Sequence, residues 1–139
     1  MKVFLDTNVL ASSLATRGLC TEVFEAVLNE HELLICDQVL QELEPVLASK
    51  FRLPETIVKE FAALLRAEGT VVPISETHPI RVKDKGDIAI LSCAISGEAE
   101  VFITGDKELL GLKSIGKLTI LSPREFWQEI AGLRGSKQS

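Results

Sequence analysis

Short runs of consecutive apolar residues alternate along this chain with longer segments in which apolar residues recur every three or four positions. A short apolar run is typical of a parallel strand buried on both faces, and the longer spacing is typical of a helix with one face on a core. The predicted strands cover residues 1–5, 33–36, 70–74, 101–103 and 117–121. The predicted helices cover residues 8–15, 20–30, 38–51, 55–68, 87–96, 107–110 and 123–131.

Strands followed by helices, about five times over, predict an α/β fold. We expect a three-layer α/β/α sandwich around a central, mostly parallel five-stranded sheet with right-handed connections. Residues 1–132 are expected to form one domain, followed by a flexible polar tail at 133–139. Pro45 should kink the third helix because it lacks a backbone donor, and Ser122 with Glu125 should form a capping box.

Composition narrows the class of protein without choosing a function. The 139 residues are 46% hydrophobic and 25% charged with a net charge of −5, which is ordinary for a globular protein and argues against an extended basic nucleic-acid surface. No apolar run is long enough for a membrane span and no signal peptide is recognisable, so we expect a cytoplasmic protein. The three cysteines have no CxxC spacing, which favours packed, reduced thiols over a disulfide framework or zinc site.

Four acidic residues stand where this architecture would bring them to one edge of the sheet. Asp6 ends the first strand, Asp106 follows the fourth, Asp87 begins a helix that leads into the fourth strand, and Glu42 lies in the helix after the second. In open α/β sheets, ligands bind in crevices at the carboxyl ends of strands. Each acid also has a purely structural explanation, as a helix cap, a turn residue or a solvated helix residue.

Clustered carboxylates repel one another unless a cation lies between them. Hard oxygen ligands of this kind suit Mg²⁺ or Mn²⁺, which can stabilise charge on a phosphoryl group, so phosphodiester cleavage is the natural reaction class. Exposed basic residues near these acids would guide a phosphate backbone, or would simply form an ordinary solvated loop. They are Arg81, Lys83, Lys85 and Lys107.

Five segments, in this order and spacing, resemble those of a PIN-domain nuclease, particularly the prokaryotic group of toxin components from type II toxin–antitoxin systems. The resemblance covers residues 2–131. The segments are FLDTNVL at 4–10, LLICDQVLQELEPVL at 33–47, DKGDIAILSCA at 84–94, VFITGDKELL at 101–110 and LTILSPREFW at 118–127.

The resemblance implies specific roles for matching residues. Four acids would hold one or two Mg²⁺ or Mn²⁺ ions, and water would attack a phosphodiester of RNA. Three further residues would support those ligands, and Thr7 is left to cap the first helix. An antitoxin partner and a homodimer are also implied. The metal-holding and catalytic residues would be Asp6, Glu42, Asp87 and Asp106, and the supporting residues Asn8, Thr104 and Asp84.

Some positions depart from the family pattern. The family often has Ser or Thr at the position of Cys36, Pro at that of Lys85, and a second carboxylate at that of Ile88, whereas Pro45 is unusual in its helix. None of these departures removes a main ligand, although the missing carboxylate at position 88 would weaken a second metal site.

Two other function classes remain as alternatives. The first is a non-catalytic PIN-like module that binds RNA or a protein. The second is a phosphoryl-transfer domain of haloacid-dehalogenase or response-regulator type, which the motifs disfavour. The former type requires an Asp where Asn8 stands, and the latter requires a phosphate-accepting Asp at the end of a middle strand, where this chain has Ile74-Ser75-Glu76.

Overall fold

The computed structural model describes residues 1–73 and 76–138, and of residues 133–138 it describes the backbone only. Apolar runs form the strands and amphipathic segments form the helices, as their spacing predicts. The strands are β1 (Lys2–Leu5), β2 (Glu32–Ile35), β3 (Thr70–Val71), β4 (Val101–Ile103), β5 (Ser114–Ile115) and β6 (Leu118–Leu121). The helices are α1 (Thr7–Ala15), α2 (Leu19–Glu30), α3 (Asp37–Pro45), α4 (Glu55–Glu68), α5 (Lys85–Ser96), α6 (Lys107–Leu110) and α7 (Pro123–Gln138), with a π-helical turn (Val46–Lys50) after α3.

The strands form one sheet in the order β3-β2-β1-β4-β6-β5. All neighbouring pairs are parallel except β5 and β6, which are antiparallel. The central strand β1 places Phe4 opposite Leu34 on one side and Phe102 on the other, and the Phe4 and Phe102 rings stack with their centroids 5.5 Å apart. All three of these side chains are buried, so the apolar runs of the sequence form the centre of the core.

The strand order creates a topological switch point between β1 and β4. The chain leaves β1 toward β2 and β3 on one side, and returns to β4 and β6 on the other. Because crossover connections between parallel strands are right-handed, connections that lead in opposite directions pass over opposite faces of the sheet. The helices therefore cover both faces, and a crevice opens at the carboxyl ends of β1 and β4, where α/β proteins bind ligands.

The predicted α/β class is confirmed, with two differences in the strands. The sheet has six strands rather than five, because Ser114–Ile115 adds a short antiparallel edge strand beside β6. Two residues are too few to give a recognisable apolar pattern. The strand predicted at 70–74 is limited to Thr70–Val71 in the structure, and its predicted end at Ile74 lies outside the described residues.

The helix ends also differ in places from the predictions. Helix α5 begins at Lys85 rather than Asp87, because Asp84 caps it, and the backbone of α7 remains helical to Gln138, beyond the predicted end at residue 131. The predicted break at Pro45 is present, since α3 ends there and the chain continues as the π-helical turn.

The predicted capping box at the start of α7 is confirmed. The Ser122 backbone N–H donates to Glu125 Oε1 over 3.0 Å, and the Glu125 N–H donates to Ser122 Oγ over 3.1 Å. Across the part of the chain that the structure describes, no helix is both long and apolar enough to cross a membrane.

Candidate active site

Asp6 lies at the switch-point crevice, where each of its carboxylate oxygens accepts a hydrogen bond. Its backbone N–H continues the β1–β4 pairing by donating to the Ile103 carbonyl over 2.9 Å, and its side chain is only 7% exposed. Oδ1 accepts from the Thr7 N–H over 2.8 Å, and Oδ2 accepts from the Thr104 hydroxyl over 2.7 Å. The sheet therefore fixes where this carboxylate sits, and two donors fix its orientation.

Glu42 reaches the same crevice from α3. Its Oε1 accepts a hydrogen bond of 3.2 Å from the Thr7 hydroxyl, and its Oε2 accepts one of 2.8 Å from Gln38 Nε2. The prediction that Thr7 caps the first helix is wrong: Asp6 occupies the N-cap position of α1 and accepts the hydrogen bond from the Thr7 N–H. The Thr7 hydroxyl is therefore free to link α1 to the acid on α3.

The start of α5 brings two more carboxylates to the crevice. Asp84 caps the helix, its Oδ1 accepting from the N–H groups of Gly86 over 2.7 Å and Asp87 over 3.1 Å. A Cβ atom on Gly86 would lie 2.9 Å from Asp84 Oδ1 and 3.1 Å from Glu42 Oε2. A side chain at this position would therefore have to push the Asp84 and Glu42 carboxylates aside.

Asp106 follows β4 and caps α6. Its Oδ1 accepts from the Glu108 N–H over 2.8 Å and from the Leu109 N–H over 3.4 Å. Its own backbone N–H donates to the Thr104 hydroxyl oxygen over 3.0 Å. The fully buried Thr104 hydroxyl thus accepts from the backbone of one acid and donates to the side chain of another, Asp6.

The four predicted acids lie near enough to one another to affect each other's pKa. Burial raises the pKa of Asp6, the hydrogen bonds from Thr104 and Thr7 oppose the rise, and Glu42 and Asp106 add to it. Burial, followed by repulsion from neighbouring carboxylates, raises the pKa of Asp87 to about 6. The carboxylates that raise it belong to Asp84, Asp6, Asp106 and Glu42.

The donor chemistry fits a hard divalent cation. In residues 1–73 and 76–138, no three His, Cys, Asp or Glu side chains stand close enough together to hold one ion as they are placed. The ligand atoms available are nevertheless all carboxylate oxygens whose charges repel, which is the set that Mg²⁺ and Mn²⁺ prefer. Asp84 and Asp106 accept their capping hydrogen bonds through Oδ1, which leaves Oδ2 of each for a ligand.

The supporting role expected of Asn8 stays a prediction. Its side chain is exposed and makes no hydrogen bond to a described residue, whereas Thr104 supports Asp6 as expected. The four basic residues are all exposed, and two of them begin helices directly after capping acids: Lys85 follows Asp84, and Lys107 follows Asp106. A basic rim therefore adjoins the acidic crevice.

The sequence did not identify three of the residues that shape the crevice: Thr7, Gln38 and Gly86. The contact of Gln38 with Glu42 could have been predicted, because the two residues are one helical turn apart and residues spaced in this way face each other. The role of Gly86 could not have been predicted, since its close approach to Glu42 depends on how α3 and α5 pack.

Comparisons with known proteins support the fold and identify the family. No curated protein matches the chain. The structure is similar to a chain in the crystal structure of VapBC2 from Rickettsia felis bound to a DNA fragment from their promoter, with a TM-score of 0.63 and 18% identity, over 88% of this chain and 98% of that one. At that identity the likeness concerns the fold alone. The PIN domain family matches residues 2–108, from the start of β1 into α6, and the chain therefore belongs to that family.

Proposed function

We propose that this protein is an endoribonuclease that uses Mg²⁺ or Mn²⁺ and acts as the toxin of a type II toxin–antitoxin pair. PIN domains are generally nucleases, which gives the reaction class. The single observation that carries the proposal is the gathering of carboxylates at the switch point, where Thr104 holds Asp6 and Thr7 links α1 to Glu42. Burial raises the pKa of Asp87 there, and repulsion from the neighbouring carboxylates raises it further. Mutual repulsion among these carboxylates lowers stability, so the reason for the cluster is best sought in function.

The residues of the crevice would have different roles in the reaction. Bound Mg²⁺ or Mn²⁺ would supply the positive charge that stabilises a phosphoryl group during hydrolysis. Asp6 and Glu42 are the best-oriented ligands, since each accepts hydrogen bonds on both carboxylate oxygens. Asp87 and Asp106 complete the set from the two helices that flank the crevice. The exposed Arg81, Lys83, Lys85 and Lys107 would draw the phosphate backbone of RNA toward these acids.

The toxin role rests on separate grounds. Five segments between residues 4 and 127 resemble those of the prokaryotic toxin group. The fold is similar to that of a chain in the VapBC2 structure from Rickettsia felis. We therefore propose a protein antitoxin as partner, a homodimer as the assembly and the cytoplasm as the location. These parts of the proposal can fail while the nuclease assignment stands.

A second candidate function is a PIN-like module that binds RNA or protein without cleaving it. The observation in its favour is that Asp6, Glu42, Asp84 and Asp106 all have hydrogen-bond donors within the chain. Two of these acids serve as helix caps, a role that needs no cation. Cation binding and cleavage separate the two candidates.

The decisive experiment compares two neighbouring glutamates on α3. Glu42→Gln removes a charge from the cluster, and Glu44→Gln removes the same charge from an exposed position two residues away. With Mn²⁺ and an end-labelled, mixed-sequence single-stranded RNA, we expect cleavage by the wild type and E44Q, and loss of cleavage in E42Q and Asp6→Asn. A single-stranded DNA of the same sequence tests the substrate class.

Thermal melting completes the test. A cation that binds the native protein stabilises it by mass action, so Mn²⁺ should raise the melting temperature of the wild type and E44Q but not that of E42Q. Absence of both the shift and the cleavage in the wild type would favour the binding module, whose capping acids need no cation. Equal RNA cleavage by E42Q and E44Q at matched purity would refute the catalytic assignment.

A further inference from the structure

Two of the three cysteines lie together beside the crevice. Cys36 is the residue between β2 and α3 and is 1% exposed; Cys93 lies in the second half of α5 and is 6% exposed. Both line one small cavity of about 200 Å³. The other residues that line it are Asp37, Gln38, Gln41, Thr77, Ala89 and Ser92. Cys20, on α2, does not line this cavity.

The two thiols act on each other. Burial raises the pKa of Cys36 to about 12, the backbone N–H groups of Val39 and Gln38 oppose the rise, and the neighbouring Cys93 thiol adds to it. Cys36 therefore keeps its proton at neutral pH. Cys93 is the more exposed residue of the pair, so we assign it the first reaction with a small oxidant.

The pair joins the two helices that carry acids into the crevice. Cys36 directly precedes α3, which carries Glu42, and Cys93 lies on α5, which begins at the Asp84 cap and carries Asp87. Gln38 connects the two sites, because it lines the cysteine cavity and also donates to Glu42 Oε2 over 2.8 Å.

We propose that Cys36 and Cys93 form a reversible disulfide when the protein meets a peroxide, and that this bond ties the start of α3 to α5. This inference does not depend on the proposed nuclease function. The spacing of the cysteines in the sequence favours packed thiols, and only the fold shows that two of them share a cavity.

The chemistry balances with hydrogen peroxide as the oxidant. The Cys93 sulfur, losing its proton, attacks one peroxide oxygen; an S–O bond forms, the O–O bond breaks, and hydroxide leaves as water with that proton. The Cys36 sulfur then attacks the Cys93 sulfur; the S–S bond forms, the S–O bond breaks, and the second hydroxide leaves as water with the Cys36 proton. Two thiols are oxidised, and one peroxide is reduced to two waters.

The test counts free thiols in the full chain after treatment with hydrogen peroxide. The protein is unfolded, alkylated and weighed, then digested without reductant. We expect one of three thiols to remain reactive, a mass lower by two hydrogens before alkylation, and a linked pair of peptides containing Cys36 and Cys93. Dithiothreitol should restore all three thiols. Peroxide treatment in urea, where the fold is lost, should remove the preference for this pair.

Variants make the assignment specific. Cys20→Ala should leave the bridge intact, whereas Cys36→Ala and Cys93→Ala should each abolish it. The wild-type mass and peptide map decide the question even if a buried cysteine variant folds poorly. Three reactive thiols after oxidation, a bridge that includes Cys20, or oxygen addition to Cys93 without a bridge would overturn the proposal.

Discussion

The Thr104 hydroxyl donates a hydrogen bond of 2.7 Å to Oδ2 of Asp6, and so joins the carboxyl ends of β1 and β4 at the switch point of the sheet. The same hydroxyl oxygen accepts from the Asp106 backbone N–H. One fully buried side chain thus sets the position of two acids that are far apart in the sequence.

Thr104→Val keeps the shape of this side chain and removes its hydrogen bonds. We expect the free energy of unfolding, measured in urea, to be about 2 kcal/mol lower than in the wild type, because a buried carboxylate oxygen and a backbone N–H lose their partner. The pKa of Asp6 should rise further, since this hydrogen bond lowers it. Thr119→Val, at an exposed position on β6, is the matched control and should change stability by less than about 0.5 kcal/mol. Equal losses in the two variants would contradict this role of Thr104.

Asp87 should make stability fall as pH rises. Its pKa is raised from 3.8 to about 6, so the folded protein binds this proton more tightly than the unfolded chain does. The contribution of this proton to the free energy of unfolding is fully present below pH 3.8, and it is lost as pH rises through about 6. Partial solvent exposure reduces its size.

Urea unfolding at several pH values, with a chelator present, measures this effect. We expect Asp87→Asn to flatten the decline between pH 4 and pH 6, and to be more stable than the wild type at pH 7, because it removes one charge from the repulsive cluster. Glu60→Gln, on the exposed side of α4, should leave the decline unchanged. A wild-type curve that rises over this interval and an unchanged curve in D87N would show that the cluster does not repel as described.

Gly86→Ala should separate stability from function. Alanine is favoured over glycine within a helix by about 1 kcal/mol, and displacement of the Asp84 cap costs about the same, so the stability of the variant should change little. Its Cβ would lie 2.9 Å from Asp84 Oδ1 and 3.1 Å from Glu42 Oε2, which should displace both carboxylates. We therefore expect a smaller rise in melting temperature with Mn²⁺ and slower RNA cleavage.

Gly132→Ala on α7 provides the comparison for Gly86, because a Cβ there meets nothing within 4 Å. It should gain about 1 kcal/mol of stability, with unchanged cleavage. If both glycine variants cleave RNA at the wild-type rate, the close packing of α5 against Glu42 has no part in the activity.

The basic rim should govern how RNA binding depends on salt. Replacing Lys85 and Lys107 by Ala should weaken binding and lower the slope of log K against log salt by about 0.7 for each phosphate that is no longer neutralised. Lys117→Ala is the control, because Lys117 is exposed in the groove where β6 begins, at the opposite edge of the sheet. Fluorescence anisotropy with labelled RNA in a chelating buffer measures both quantities without cleavage. An equal slope in all variants would place RNA elsewhere on the protein.

The sequence predicted the parts of the site that depend on strand ends. Asp6 and Asp106 follow short apolar runs, and the carboxyl ends of parallel strands share one edge of a sheet, so their meeting follows from the fold class. Glu42 and Asp87 were placed by their position near the starts of helices. In the structure these acids lie near the same crevice, and their catalytic role stays a prediction.

Interactions that depend on tertiary packing could not be predicted from the sequence. Thr7 follows an acid and looks like a helix cap, yet its hydroxyl bonds to Glu42, because Asp6 already occupies the cap position. Gly86 looks like a loop glycine, yet it forms the close approach between α5 and Glu42. Such interactions depend on the distance between two helices, and hydrophobic periodicity carries no information about that distance.

The two outer strands of the sheet limit how this protein can associate. Within the described residues, β3 and β5 are each only two residues long. Exposed edge strands are the usual templates for strand addition and aggregation, and short edges remove most of the backbone donors and acceptors that such pairing needs. Specific assembly, with a second copy or with an antitoxin, should therefore use side chains on helical surfaces, and the free protein should resist sheet-to-sheet aggregation at high concentration.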